Sequence, residues 1–188
     1  AGRLRRLVNE MRARNYQPPS GAEKFPVLIA SVFDDQAKRT LNAGGRVILL
    51  TSDKQTLAPG LEIVPRAGSR LDGNWITGFT WVRKDQEPFK QIGFETLAGF
   101  EIQAVAPSAV IQGVPAERFR DVLAGVFYGW IHSSVGALVQ ARYGPGKLLI
   151  CTFSLGTTYG SDPYATYLLD ALVRYAVSDF QPEVAIPE

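Results

Sequence analysis

One cysteine among 188 residues leaves no internal disulfide, and a lone thiol says nothing of the redox compartment. One histidine, His132, lies far from Cys151, so the two cannot supply a zinc set, and the acidic residues show no ligand spacing. No Walker A sequence occurs, and no G-x-G-x-x-G opens a helix after a strand. The nearest match, AGGR at 43–46, precedes a strand and reads as a helix stop. No G-x-S-x-G elbow is present either. No apolar run approaches the roughly 18 residues that span a bilayer, and VILLT and LLICTF are the length of buried strands. Neither a metal nor a cofactor is expected.

Charge of one sign is also scarce. The net charge is +2, but the first 14 residues hold five Arg and one Glu, which leaves the rest at −2. That body has no electrostatic footprint for nucleic acid. The basic start reads as a solvated helix face in preference to a binder of acidic surfaces.

What is present suits a globular domain: 46% hydrophobic and 20% charged residues, in a length that one core can fill. In LRRLVNEMRARN the residues Leu4, Leu7, Val8 and Met11 have helical spacing, which predicts an amphipathic connector helix within 1–16. The prolines and glycine of QPPSGAEKFP predict a linker over 17–25. An α/β domain is expected at 26–178 and a tail at 179–188. The chain opens AGRLRR, without an initiator Met or a signal-peptide apolar region, and is expected to be a piece of a longer polypeptide.

VLIAS (27–31) and RVILLT (46–51) read as buried strands flanking the helix QAKRTLNA, with Asp34 or Asp35 as N-cap and Gly44-Gly45 as stop. This is a βαβ unit with parallel strands. Residues 53–100, rich in Gly and Pro, predict an irregular β-rich insertion. SAVIQGV (108–114) and VLAGVFYGWI (122–131) read as further strands. The stretch ALVQARYGPGKLLICTF predicts a hairpin around 144–146. Asp162 and Pro163 start the last helix, with Ala165, Leu168, Leu169, Leu172, Val173 and Ala176 on one face.

Few residues offer chemistry. His132 has Ser133 and Ser134 beside it, but sequence neighbours rarely face each other as a triad requires. Cys151, inside a strand, reads as a buried, inert thiol. Among Asp34, Asp35, Glu95, Glu101 and Glu117 nothing selects a glycosidase-type pair. The loop SLGTTYGSD (154–162), before a helix, has the setting of an anion site. In WITGFTWVR, alternation puts Trp75, Thr77, Phe79 and Trp81 on one side of a strand. The aromatics Trp75, Phe79 and Trp81 are the candidate contact residues, for core or interface packing first and for stacking on sugars as the alternative.

Four stretches carry a resemblance. They are VLIASVFDDQAKRTLNAGGRVILL (27–50), GSRLDGNWITGFTWVRKDQEPF (68–89), VLAGVFYGWIHSSVGALVQARYGPGKLLICTF (122–153) and DPYATYLLDALVRY (162–175). The most telling motifs are W-x3-F-x-W and G-x-G-K before an apolar strand. These stretches resemble the C-terminal domain of bacterial proteins related to glycoside hydrolase family 2, the β-galactosidase and β-glucuronidase group. The resemblance implies a flavodoxin-like, class I glutamine amidotransferase-like three-layer sandwich with a mostly parallel sheet. An active amidotransferase sets a Cys on a strand-to-helix elbow with a His and a Glu. Cys151 and His132 have no such context, so the resemblance implies a scaffold without a glutaminase site. The hydrolytic (β/α)8 barrel of such proteins takes about 250 residues and has no room here. The expected function is therefore a non-catalytic accessory domain of a larger carbohydrate-active hydrolase. It would pack on the catalytic region or on a homo-oligomer partner, with carbohydrate as the alternative ligand and neither nucleic acid nor membrane as partner.

Overall fold

The computed structural model describes residues 27–66, 78–93, 95–128 and 135–188. The expected connector helix and linker at 1–25, together with Trp75, Thr77, His132, Ser133 and Ser134, lie outside the described residues.

From residue 27 the first elements follow the order expected from the sequence. Strand β1 (Val27–Ala30) leads to helix α1 (Asp35–Asn42) and then to β2 (Arg46–Leu50), which pairs parallel with β1. Of the two candidate caps, Asp34 does the work: its carboxylate accepts from the amides of Gln36 and Ala37, each at 3.0 Å. Two antiparallel strands follow, β3 (Gln55–Ala58) and β4 (Leu61–Pro65). Next come β5 (Gly78–Val82), β6 (Ala109–Gln112) and β7 (Val122–Tyr128). Strands β8 (Gly136–Tyr143) and β9 (Gly146–Cys151) form the expected hairpin, Tyr143 opposite Gly146. A one-turn helix α2 (Leu155–Thr158), the capped helix α3 (Pro163–Ala176) and β10 (Ala185–Ile186) complete the described chain. No helix among the described residues is long and apolar enough to cross a membrane.

The fold class differs from the flavodoxin-like three-layer sandwich implied by the resemblance. The described strands form one mixed, curled half-barrel sheet with few helices. Parallel pairing is confined to β1, β2 and β9 and to the short β10 beside β8. From β9 the order continues through β8, β6, β4 and β3, every step antiparallel. Strands β3, β4 and β5, expected as an irregular insertion, belong to this same sheet. Residues 179–188, set apart as a tail from the sequence, contribute β10, which pairs parallel with the end of β8.

The physical reason lies in how the two sheet faces are covered. On β2 and β9, alternate residues enter different cores: Ile48, Leu50, Leu149 and Cys151 on one face, Val47, Leu49, Leu148 and Ile150 on the other. The first face packs under α3, through Leu168, Leu169, Leu172 and Val173. Among the described residues the second face has only α1 as a covering helix, with Ala37 and Leu41 buried. Ile63, Ile111, Val122, Trp81, Val184 and Ile186 complete that second core, so curling of the sheet does what a helical layer would do in a sandwich.

Gly146, within the G-x-G-K motif, is required by this packing. A Cβ there would lie 2.5 Å from Leu41 Cα and against the Leu41 carbonyl oxygen, because the end of α1 rests directly on β9. Gly146→Ala should therefore destabilise the fold by about 1–3 kcal/mol, seen as a lower denaturant midpoint at unchanged slope. An unchanged midpoint would contradict the close approach of α1.

Candidate functional site

The candidate aromatics fall on the ribbon made by β5 and β7. Residues two apart on a strand share a face, so Phe79 and Trp81 do. Antiparallel register sets Phe127 opposite Phe79 and Gly125 opposite Trp81. The indole lies over Gly125, where a Cβ would come within 2.6 Å of Trp81 Cζ2. Along the other edge of β5, Trp81 bridges to Leu97, and Ala98 N–H donates to the Thr80 carbonyl at 2.9 Å.

Trp81 is thereby enclosed. Its ring centroid is 5.6 Å from that of Phe119 and 6.0 Å from that of Phe127, with tilts of 41° and 39°. The Arg83 guanidinium carbon is 6.0 Å from the Trp81 ring and 5.4 Å from the Phe119 ring. Arg83 is held by donating from Nε to the Val122 carbonyl at 2.8 Å and from Nη2 to the Phe119 carbonyl at 3.1 Å. Exposure ranks the roles: Trp81 is 9% exposed, while Phe79, Phe127 and Leu97 are 52–53% exposed and Phe119 is 37% exposed. The result is an apolar rim around a buried indole.

Sequence reasoning found Phe79 and Trp81 but missed Phe119, Phe127, Leu97 and Arg83. Phe127 had a signal, since it alternates with Gly125 along β7. Phe119 had none, because it sits in a 3-10 turn, Ala116–Asp121, that reaches Trp81 only through the tertiary fold.

The other candidates have structural roles. Cys151 is fully buried, and burial pushes its thiol up to about 12 against a smaller opposing effect of the Phe153 backbone hydrogen bond. Asp34 caps α1, Asp35 lies in its first turn, and Glu95 pairs with Lys84 at 2.8 Å on the surface. The loop at 154–162 is occupied by its own contacts. Asp162 accepts from Ala165 N–H at 2.9 Å, Thr166 Oγ1 accepts from Gly160 N–H at 3.0 Å, and the Tyr159 hydroxyl donates to Asp170 at 3.1 Å. The N-terminus of α3 is thus already neutralised by a carboxylate. Among the described residues no group of three or more His, Cys, Asp or Glu is placed to hold a metal.

No protein-family model matches the chain, and no curated protein matches it.

Two measurements check this division of roles. A thiol with its pKa near 12 is protonated at pH 8, so Cys151 should react with a disulfide reagent only as fast as the domain opens; immediate labelling of folded protein would contradict its burial. Trp81→Ala should cost about 3–5 kcal/mol, whereas Phe79→Ala, at a half-exposed position, should cost under about 1 kcal/mol. Equal losses in chemical denaturation would refute the assignment of Trp81 as hub and Phe79 as rim.

Proposed function

We propose that this chain is a non-catalytic accessory module of a larger polypeptide, working by contact through the aromatic face of β5 and β7. The observation that carries the reading is the exposure pattern: Phe79, Phe127 and Leu97 are each about half exposed around a buried Trp81. Half-exposed aromatics clustered on a rigid, hydrogen-bonded ribbon suit an interface, where burying each ring further gains apolar area at little entropic cost. Asp34, Glu95, Asp121 and Asp162 have capping, pairing or anchoring roles and Cys151 is buried, which supports a function without chemistry by these groups. That the larger polypeptide is a carbohydrate-active hydrolase rests on the sequence resemblance alone.

The geometry favours packing over sugar recognition. A sugar platform presents an open ring face to the pyranose. One side of the Trp81 indole lies on Gly125, and Phe119, Phe127 and Arg83 close around the rest. The rings of Phe119 and Phe127 are each tilted by about 40° from the indole, so they do not extend it into a flat surface.

A photoreactive phenylalanine at position 127, in the natural polypeptide within its own cells, tests this. Cross-links to another region of the same polypeptide, or to a subunit of the same assembly, are expected. A lack of protein adducts would overturn the proposal. So would saturable quenching of tryptophan fluorescence by oligosaccharides that is lost in Phe79→Ala, since it would assign the face to carbohydrate.

A further inference from the structure

The turn Ala116–Asp121 carries four consecutive residues with distinct attachments. Phe119 closes the aromatic face, as described above. Its neighbours Arg118 and Arg120 both reach Glu183, at 3.0 and 2.8 Å, so a single carboxylate holds the two residues that flank Phe119. Asp121 follows and is fully buried. Its Oδ2 accepts from the backbone amides of Glu183 and Val184, each at 2.6 Å, and its Oδ1 accepts from Gln140 Nε2 at 2.7 Å.

Glu183 and Val184 belong to the C-terminal strap, residues 179–186, and Gln140 to β8. The strap is fastened further by Arg142 N–H donating to the Val184 carbonyl at 2.9 Å and by the pairing of β10 with β8. The turn itself is weak. It is a six-residue 3-10 segment with non-helical dihedrals at Arg118 (φ −105°, ψ 16°) and without a side-chain cap. Its shape is therefore imposed from outside, by Arg83 on one side and by the strap on the other.

We propose that the strap is a latch that sets the shape of the aromatic face, with Glu183 and Asp121 as positioning residues for Phe119. With the latch closed, Phe119 lies against Trp81 and the rim is complete. When Glu183 or Asp121 is lost, the turn relaxes, Phe119 leaves the indole, and Trp81 becomes reachable by solvent. The inference rests on the proposed contact role of that face, since it is that surface which the latch would regulate.

The test uses the full chain with Trp75→Phe and Trp130→Phe, which leaves Trp81 as the sole indole. Acrylamide quenching reports its accessibility. Glu183→Ala and Asp121→Asn should each raise the quenching constant about twofold or more through local opening. Lys84→Ala, which removes a single, more exposed ion pair with Glu95, should leave it unchanged. Unchanged quenching in Glu183→Ala overturns the latch. So does a rise of equal size in Lys84→Ala, which would mean general loosening. Should Asp121→Asn fail to fold, Glu183→Ala, at a partly buried surface position, decides alone. Quenching requires no partner, so it can fail or succeed independently of the cross-link from position 127, which tests the contact surface itself.

Discussion

Strand β8 must satisfy its backbone along both edges, and the rest of the structure is arranged around that requirement. On one side β9 accompanies it from Leu138 to Tyr143. On the other side β7 runs beside 136–139 and β10 takes Arg142 and Tyr143, while β6 meets Gly136 on the edge opposite β7, beyond the end of β9. A buried strand whose N–H and C=O groups lacked partners would lose about 1–3 kcal/mol for each. Each edge of β8 is thus divided, and the sheet branches there: β6 leads away through β4 and β3 on one edge, while β7 leads to β5 on the other. Curling follows, and with it a second core that needs only one short helix.

The place where β7 leaves β8 and β10 takes over is sealed by polar groups. Gln140 is 6% exposed, and its amide bridges Asp121 to the Tyr175 hydroxyl, which donates to Gln140 Oε1 at 2.6 Å. Burial, and after it the nearby carboxylates of Asp121 and Glu87, push the Tyr175 phenol up to about 12, so it stays a donor throughout the ordinary pH range. Beside it, Phe180 stacks on Tyr175 at 4.8 Å, while Lys147 reaches both the Asp179 carboxylate and the Phe180 carbonyl. A buried carboxylate with three donors is thus the point where sheet, strap and aromatic turn meet. Buried polar networks of this kind are costly when half satisfied and rigid when complete.

The aromatic face depends on the same junction. β7 begins directly after Asp121, so the residue that anchors the strap also fixes the start of the strand bearing Gly125 and Phe127. Trp81 can lie flat on the ribbon only because Gly125 has no side chain. The indole then joins the second core from the outside, and Phe79 and Phe127 are left as the wet margin.

Local structure was legible wherever short-range chemistry decides it. Although only β2 of the two strands beside α1 is fully buried, β1 being a half-buried edge, the Asp34 and Asp162 caps, the hairpin at Gly144-Pro145, those two strands and the apolar face of α3 follow from neighbours within a few residues. So did the pairing of Phe79 with Trp81, which needs only a two-residue period. The sheet was not legible, because parallel and antiparallel neighbours bury similar apolar runs, and nothing local says which edge of β8 each strand will take. The resemblance supplied a parallel sandwich in place of that missing information. Phe119 and Glu183 illustrate the limit most sharply: a turn residue and an acid 64 positions later are joined only when β8 gathers their segments. By itself the sequence determined β1, β2, the hairpin of β8 and β9, and helices α1 and α3 with their apolar faces, since these rest on periodicity and capping. The tertiary structure alone decided the curl, the shared edge and the enclosure of Trp81, since these rest on hydrogen bonds and packing between segments far apart in the chain.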